Sequence, residues 1–130
     1  MSLMNRLGNS KNPYQGDNTR TLVCCSAGLL RSPTCAWVLS NAPWNHNTRA
    51  AGLNDEYALV LVDQVLLEWC SSVVVMDNRQ ETMVRNMMQE YGYNKPVYNL
   101  NVPDNFSYRQ PELVEELTEK LLEVFPVETD

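Results

Sequence analysis

Apolar and polar positions follow one another along this chain in blocks that predict strands and helices in turn. The four runs that predict strands are short and rich in apolar or β-prone residues, at 21–24, 48–51, 72–76 and 96–100. The third of them, SVVVM, is apolar throughout, as strands covered on both faces are. Each strand precedes a stretch with helical spacing, at about 32–40, 63–69, 79–91 and from 111 onwards.

Local signals mark where these helices begin and end. Ser32 and Pro33 predict a helix start, because proline is favoured at the first helical position. Asp77 and Gln80 have the spacing of a capping box, so Asp77 is predicted to cap the third helix. Gly92 is predicted to end that helix, since glycine adopts the left-handed conformation found after a last helical turn.

Apolar stripes on three of the helices predict the faces turned toward the core. They are Val65, Leu66, Trp69 and Cys70 in the second helix; Met83, Met87 and Tyr91 in the third, with Val84 and Met88 beside them; and Leu113, Leu117, Leu121 and Phe125 in the last. Glutamates occupy most of the other face of the last helix. This is typical of a solvated surface, with a partner-binding face as the alternative.

Alternation of strand and helix, repeated four times, predicts an α/β fold with a parallel sheet and helices on both faces. In open sheets of this kind, ligands bind beyond the carboxyl ends of the strands. Cys25 follows the first strand, Asp77 the third and Asp104 the fourth. We therefore expect these three residues at the same edge of the sheet, although they are far apart in sequence.

Length and composition restrict the possibilities. The 130 residues suit one domain, which we place at residues 20–130 after a flexible N-terminal arm at 1–19. A net charge of −6 argues against general binding of nucleic acid or anionic membrane, and no apolar run approaches the length of a membrane span. Four cysteines without a secretory signal predict free thiols in the cytoplasm. The single histidine, His46, argues against zinc and is assigned to a loop without a role.

The segment CCSAGLLRSP, at residues 24–33, places a cysteine, five further residues and an arginine between the first strand and its helix. A tight loop at this position can direct successive backbone N–H groups into one cup, and the helix N-terminus adds partial positive charge. The arginine fork can hold two phosphate oxygens. The residues predicted to bind phosphate are Ser26, Ala27, Gly28, Leu29, Leu30 and Arg31.

The same donors favour an ionised sulfur, so Cys25 is the predicted nucleophile for in-line attack at phosphorus. Ser32 is expected to donate a hydrogen bond to that sulfur. The alternative is that Cys25 is only a small buried hydrophobe. Cys24 is expected to face the other way from the strand, and Cys35 to lie in the core. Either could form a protective disulfide with Cys25 under oxidation.

A proton donor for the leaving oxygen is needed at the same edge. Asp77 is better explained as a helix cap. Asp104, in NVPDNFSY, is the predicted general acid and then the general base for the hydrolytic water, with a turn after Pro103 as the alternative. Phe106 and Tyr108 follow closely and could wall a slot for an aryl ring, or belong to the core.

CSAGLLRSPT resembles the phosphate loop of low-molecular-weight protein tyrosine phosphatases, and more closely that of a compact group of predicted tyrosine phosphatases related to them. The resemblance continues in the same order over about residues 20–125, through TRAAGL, SVVVMDNRQE, LNVPDNF and QPELVEEL. It implies a three-layer fold of the phosphotyrosine phosphatase I type with a four-stranded parallel sheet, a cysteinyl-phosphate mechanism and no metal or cofactor. It assigns the nucleophile to Cys25, phosphate binding to Arg31, thiol assistance to Ser32 and the general acid to Asp104.

Three positions depart from that pattern. Gly28 and Ala50 replace an asparagine and a serine whose side chains help to hold the loop, and Leu30 replaces the second loop cysteine of many relatives. Three functions stay open. The first is hydrolysis of phosphotyrosine in a protein, or of a small aryl phosphate. Phosphate or sulfate is then the expected ligand of the loop. The second is a phosphate- or phosphoprotein-binding module without turnover, and the third is a thiol-dependent arsenate reductase.

Overall fold

The computed structural model describes residues 19–25, 31–53, 61–102 and 110–126, and of Arg31 only the backbone. The predicted alternation is confirmed within these ranges, where each strand precedes a helix. The strands are β1 (Arg20–Cys25), β2 (Asn47–Gly52), β3 (Ser72–Val75) and β4 (Val97–Asn99). The helices are α1 (Arg31–Leu39), α2 (Gln64–Trp69), α3 (Asn78–Tyr91) and α4 (Pro111–Val124). Of the predicted N-terminal arm only Thr19 is described, and none of these four helices has the length and apolar character to cross a membrane.

The four strands form one parallel sheet in the order β2-β1-β3-β4, which confirms the predicted parallel arrangement. β1 is therefore an inner strand with a hydrogen-bonded neighbour on each side. Its last residue, Cys25, is in register with Gly52, the last residue of β2. Because all four strands run in the same direction, their carboxyl ends meet at one edge, and Cys25 lies at that edge.

Each face of the sheet carries its own hydrophobic cluster. Val23, Cys25 and Val74 face a cluster completed by side chains of α1 and α4. Leu22 and Cys24 face the opposite cluster, which is completed by side chains of α2 and α3. Helices thus cover both faces, as expected from the apolar SVVVM strand, and the arrangement is compatible with a three-layer α/β fold.

The helical stripes are confirmed in α4 and corrected in the two helices before it. Leu113, Leu117 and Leu121 are fully buried, and Phe125 packs against the same cluster. In α2 the prediction for Val65 is wrong, because this side chain is 45% exposed. The short helix instead buries Leu66 and Leu67, which turns Val65 outward.

In α3 the buried line is Gln80, Val84 and Met88, whereas Tyr91 from the predicted stripe is exposed. Gln80 is the reason for the shift. Its side-chain oxygen accepts a hydrogen bond from the backbone N–H of Met76 at 2.8 Å, so a polar residue can occupy the first buried position.

Both ends of α3 have the cap residues predicted from the sequence. Asp77 is the N-cap, and its carboxylate accepts a hydrogen bond from the backbone N–H of Gln80 at 2.9 Å. In a capping box Gln80 would return a bond to the N–H of Asp77, but here it binds the N–H of Met76, one residue earlier. Gly92 ends the helix with a φ of 79°, in the left-handed region.

Candidate active site

The sulfur of Cys25 lies 3.1 Å from the hydroxyl oxygen of Ser32. Cys25 ends the inner strand β1, and Ser32 is the second residue of α1. Both are buried, at 4% and 0% exposure. A neutral thiol and a hydroxyl could exchange roles in this contact, but an ionised sulfur can only accept the hydrogen bond, with the serine hydroxyl as donor. The structure therefore brings together two of the predicted site residues.

The backbone around this contact is held by the neighbouring strand. The carbonyl oxygen of Cys25 accepts a hydrogen bond from the N–H of Leu53 at 3.0 Å, just past the end of β2. The Ser32 hydroxyl also lies 3.5 Å from the carbonyl oxygen of Ala51, at the limit of a hydrogen bond. The side chain of Ala50 is a methyl group packed in the same cluster as Cys25, so it contributes packing where a serine would add a hydroxyl.

The other cysteines are buried, and each is present as a free thiol. Burial raises the pKa of Cys24 and of Cys35, and negative charge on the neighbouring Cys25 would raise both pKa values further. Burial also raises the pKa of Cys70, although the charge of Lys95 opposes the shift. Cys24 faces the opposite side of the sheet from Cys25, as predicted, whereas Cys35 shares the cluster of Cys25.

The chain that leads to the predicted acid reaches the same edge and the same face of the sheet. Beyond β4, the N–H of Val102 donates a hydrogen bond to the carbonyl oxygen of Met76 at 2.9 Å. Both side chains are buried in the cluster that contains Cys25. Asp104 follows two residues after Val102 in the sequence.

Several predicted site residues lie outside the described part of the chain. From the phosphate loop these are Ser26, Ala27, Gly28, Leu29, Leu30 and the side chain of Arg31. From the segment after β4 they are Asp104, Phe106 and Tyr108. Their predicted roles are therefore untested. The described residues provide the two ends of the predicted phosphate loop, which are the end of β1 and the start of α1.

Two side chains near this edge were not singled out by sequence reasoning as part of a site. Gln80 is 1% exposed and supports the backbone of Met76. Its only sequence signal is the spacing from Asp77. Asn99, the last residue of β4, bonds two residues of α3 and the backbone of Asn101, and no local pattern marks it.

His46, predicted to be a loop residue without a role, takes part in tertiary packing away from Cys25. Its Nδ1 atom lies 3.0 Å from the hydroxyl of Thr21, near the start of β1. Its ring meets that of Phe125 edge to face, with the centroids 5.0 Å apart. Burial lowers the pKa of this imidazole.

Within residues 19–25, 31–53, 61–102 and 110–126, no group of three or more His, Cys, Asp or Glu side chains is arranged to hold a metal ion. Comparison of the chain with models of protein families, with curated proteins and with solved structures finds no match.

Proposed function

We propose that this protein is a cysteine-dependent phosphatase that hydrolyses phosphotyrosine or a similar aryl phosphate through a cysteinyl-phosphate intermediate. The observation that carries the proposal is the 3.1 Å contact between the sulfur of Cys25 and the hydroxyl of Ser32 at the end of an inner parallel strand. The four-stranded parallel sheet further supports a fold of the phosphotyrosine phosphatase I type.

The buried contact with a hydroxyl supports a chemical role for the Cys25 sulfur over that of a small core hydrophobe. A hydroxyl removed from water needs a hydrogen-bond partner, and a neutral thiol is a weak one. Hydrogen bonds to ionised groups are about twice as strong as neutral ones. A thiolate on Cys25 would give the fully buried Ser32 hydroxyl a stronger partner than the Ala51 carbonyl oxygen, which lies at the limit of a hydrogen bond.

The position of the contact suits a dianionic ligand. Ligands of open parallel sheets bind beyond the carboxyl ends of the strands, where Cys25 lies. The helix α1 has nine residues, and its first turn contains no acidic residue. Its N-terminal partial positive charge is therefore not offset locally and favours a phosphate at this end.

The reaction then has two steps. The Cys25 sulfur bonds to phosphorus while the phenolic oxygen departs and takes a proton from Asp104; Arg31 holds the phosphoryl oxygens. A water next attacks the cysteinyl phosphate and gives a proton to Asp104, which restores the acid and releases inorganic phosphate. Cys25 leaves as a thiolate, stabilised by the hydrogen bond from Ser32.

The decisive experiment compares turnover of p-nitrophenyl phosphate and of a phosphotyrosine peptide by the wild type, Cys25→Ser and Cys35→Ala. Cys25→Ser should abolish turnover of both substrates. Cys35→Ala removes a buried thiol from the same cluster and should retain most of the activity. Mass spectrometry after an acid quench should find the phosphoryl group on the peptide that contains Cys25. Undiminished turnover by Cys25→Ser would refute the proposal.

A second candidate is a phosphate-binding module without turnover. The observation that favours it is the methyl group of Ala50 in the cluster around Cys25. The phosphatase family that the sequence resembles has a serine at this position, whose hydroxyl helps to hold the loop. Under this alternative vanadate or phosphate raises the melting temperature while neither substrate is hydrolysed. Arsenate reduction is less favoured, because burial raises the pKa of the three other thiols that could attack an intermediate.

A further inference from the structure

The chain leaves β4 through an irregularity at Asn101. The N–H of Leu100 donates to the carbonyl oxygen of Val75 at 3.0 Å, and the next such bond runs from Val102 to Met76. Between these two bonds the chain that continues β4 advances two residues, whereas the chain that continues β3 advances one. Asn101 is therefore an inserted residue, as in a β-bulge. Its φ is 53°, in the left-handed region that asparagine tolerates better than most residues.

The side-chain amide of Asn99 stabilises this irregularity through hydrogen bonds of both its oxygen and its nitrogen. Its Oδ1 atom accepts a hydrogen bond from the N–H of Asn101 at 2.9 Å. Its Nδ2 atom donates to Oδ1 of Asn78 at 2.7 Å and to Oε1 of Glu81 at 3.3 Å. Among the strands that the structure describes, β4 is the outermost, so none of them lies beside it to accept the Asn101 N–H. One side chain therefore links the bulge to the first turn of α3.

The acceptors in α3 are themselves fixed. Asn78 is the first residue of the helix, directly after the N-cap Asp77. Glu81 also accepts a hydrogen bond from Nε of Arg85 at 2.9 Å, and this bond lowers the pKa of the Glu81 carboxyl. Glu81 is accordingly an ionised acceptor at neutral pH. Asn99 is thus anchored to a helix end that is already capped.

We propose that Asn99 is a positioning residue for the acid of the reaction. The bulge that it holds at Asn101 fixes the backbone at Val102, where the described part of this segment ends, and Asp104 follows two residues later in the sequence. In this role Asn99 acts through Asp104 rather than directly on the substrate. This inference rests on the proposed phosphatase function.

Leaving-group dependence tests the inference. Phenyl phosphate has a poor leaving group that needs the acid, whereas the p-nitrophenolate of p-nitrophenyl phosphate departs with little help. General acid catalysis is typically worth about 10²–10⁴ in rate, so partial misplacement of the acid in Asn99→Ala should lower kcat/KM for phenyl phosphate about tenfold. The loss for p-nitrophenyl phosphate should be less than about threefold, and vanadate affinity should be unchanged, because neither depends strongly on the acid.

A double-mutant cycle separates positioning from a general structural role. In an Asp104→Asn background, adding Asn99→Ala should cause no further loss with phenyl phosphate, since the group through which Asn99 acts is gone. The control is Asn86→Ala, at an exposed position of α3, the helix that carries Asn78 and Glu81. It should leave kcat/KM unchanged for both phenyl phosphate and p-nitrophenyl phosphate. Should Asn99→Ala fail to fold, Asn78→Ala removes only one acceptor and should give the same selective loss on a smaller scale.

The possible failures are distinguishable. A wild type that hydrolyses neither substrate would defeat the proposed function and this inference together. An active wild type whose Asn99→Ala variant loses rate equally on both substrates would defeat the positioning role alone. The same conclusion would follow if Asn99→Ala caused an equal loss with and without the Asp104 carboxyl.

Discussion

Ser32 and Cys25 stand seven positions apart, in a helix and a strand, yet the serine hydroxyl lies 3.1 Å from the cysteine sulfur in a buried environment. The hydroxyl is near enough to stabilise negative charge on the sulfur throughout the proposed reaction cycle. Its benefit should be largest in the step that returns the sulfur to its free anionic form.

Replacing Ser32 with alanine should therefore slow hydrolysis of the cysteinyl phosphate more than its formation. A hydrogen bond to a charged group is worth about 1.5–3 kcal/mol, which corresponds to a loss of about tenfold or more in the second step. Rapid mixing with p-nitrophenyl phosphate should show a burst of p-nitrophenol followed by a slow steady state. Ser40→Ala removes a hydroxyl bonded to the Trp37 carbonyl at the far end of α1 and serves as control. A Ser32→Ala variant with wild-type steady-state turnover and no burst would contradict this role.

Gln80→Leu should destabilise the protein although it places an apolar side chain in a buried position. The leucine cannot accept the hydrogen bond from the N–H of Met76, and an unsatisfied buried donor costs about 1–3 kcal/mol. Urea unfolding followed by circular dichroism measures the change. Gln89→Leu, at an exposed position of the same helix, should change the free energy of unfolding by less than about 0.5 kcal/mol. Equal effects of the two substitutions would show that the Gln80 bond contributes nothing specific.

The stability of the protein should fall in mildly acidic solution because of His46. Burial lowers the pKa of His46 in the folded protein from its ordinary value of 6.5, so the unfolded chain binds the proton more readily. The contribution of the neutral His46 ring to the free energy of unfolding is fully present above pH 6.5. It is lost as the pH falls from there through the lowered pKa of the folded protein.

Comparison with His46→Gln isolates this effect, since the carboxylates titrate in both proteins. The free energy of unfolding should decrease more steeply between pH 8 and pH 5 in the wild type than in the variant. Parallel pH profiles for the two proteins would mean that His46 titrates alike in the folded and unfolded states.

Two leucines of α4 should respond very differently to truncation. Leu117 is fully buried against the sheet, and Leu117→Ala should cost about 2–5 kcal/mol through lost transfer energy and the cavity left behind. Leu122 is 45% exposed, and Leu122→Ala should cost less than about 1 kcal/mol. Chemical denaturation of both variants measures the contrast. Similar losses would indicate that α4 does not pack in the observed orientation.

Short-range signals in the sequence were sufficient for most of the fold. The apolar run at 72–76, the cap at Asp77 and the left-handed Gly92 each depend on neighbouring residues, and each is confirmed. The stripe on α4 is equally local. The exposed Val65 shows the limit, because apolar character alone does not decide how a six-residue helix is rotated on the sheet.

Tertiary hydrogen bonds account for what the sequence left hidden. Gln80 is the first buried residue of α3 because its side chain accepts a hydrogen bond from the N–H of Met76, directly after β3. A pattern of apolar residues does not reveal a buried polar residue in that role. Asn99 and Asn78 are 21 positions apart, and the register of β4 against α3 alone brings them together. The contact of Cys25 with Ser32 was predicted, because the shortness of the intervening loop limits where the serine can be.

The alternation of side chains along β1 gives one short peptide two cysteine reporters in different surroundings, because Cys24 and Cys25 face opposite sides of the sheet. Cys24 is wholly enclosed on the face covered by α2 and α3, so a thiol reagent can reach it only when the sheet comes apart. Cys25, one peptide bond further on, ends the strand and is expected to react according to the state of the proposed phosphate site. Mass spectrometry of a single proteolytic fragment could thus follow global unfolding and active-site occupancy in the same sample.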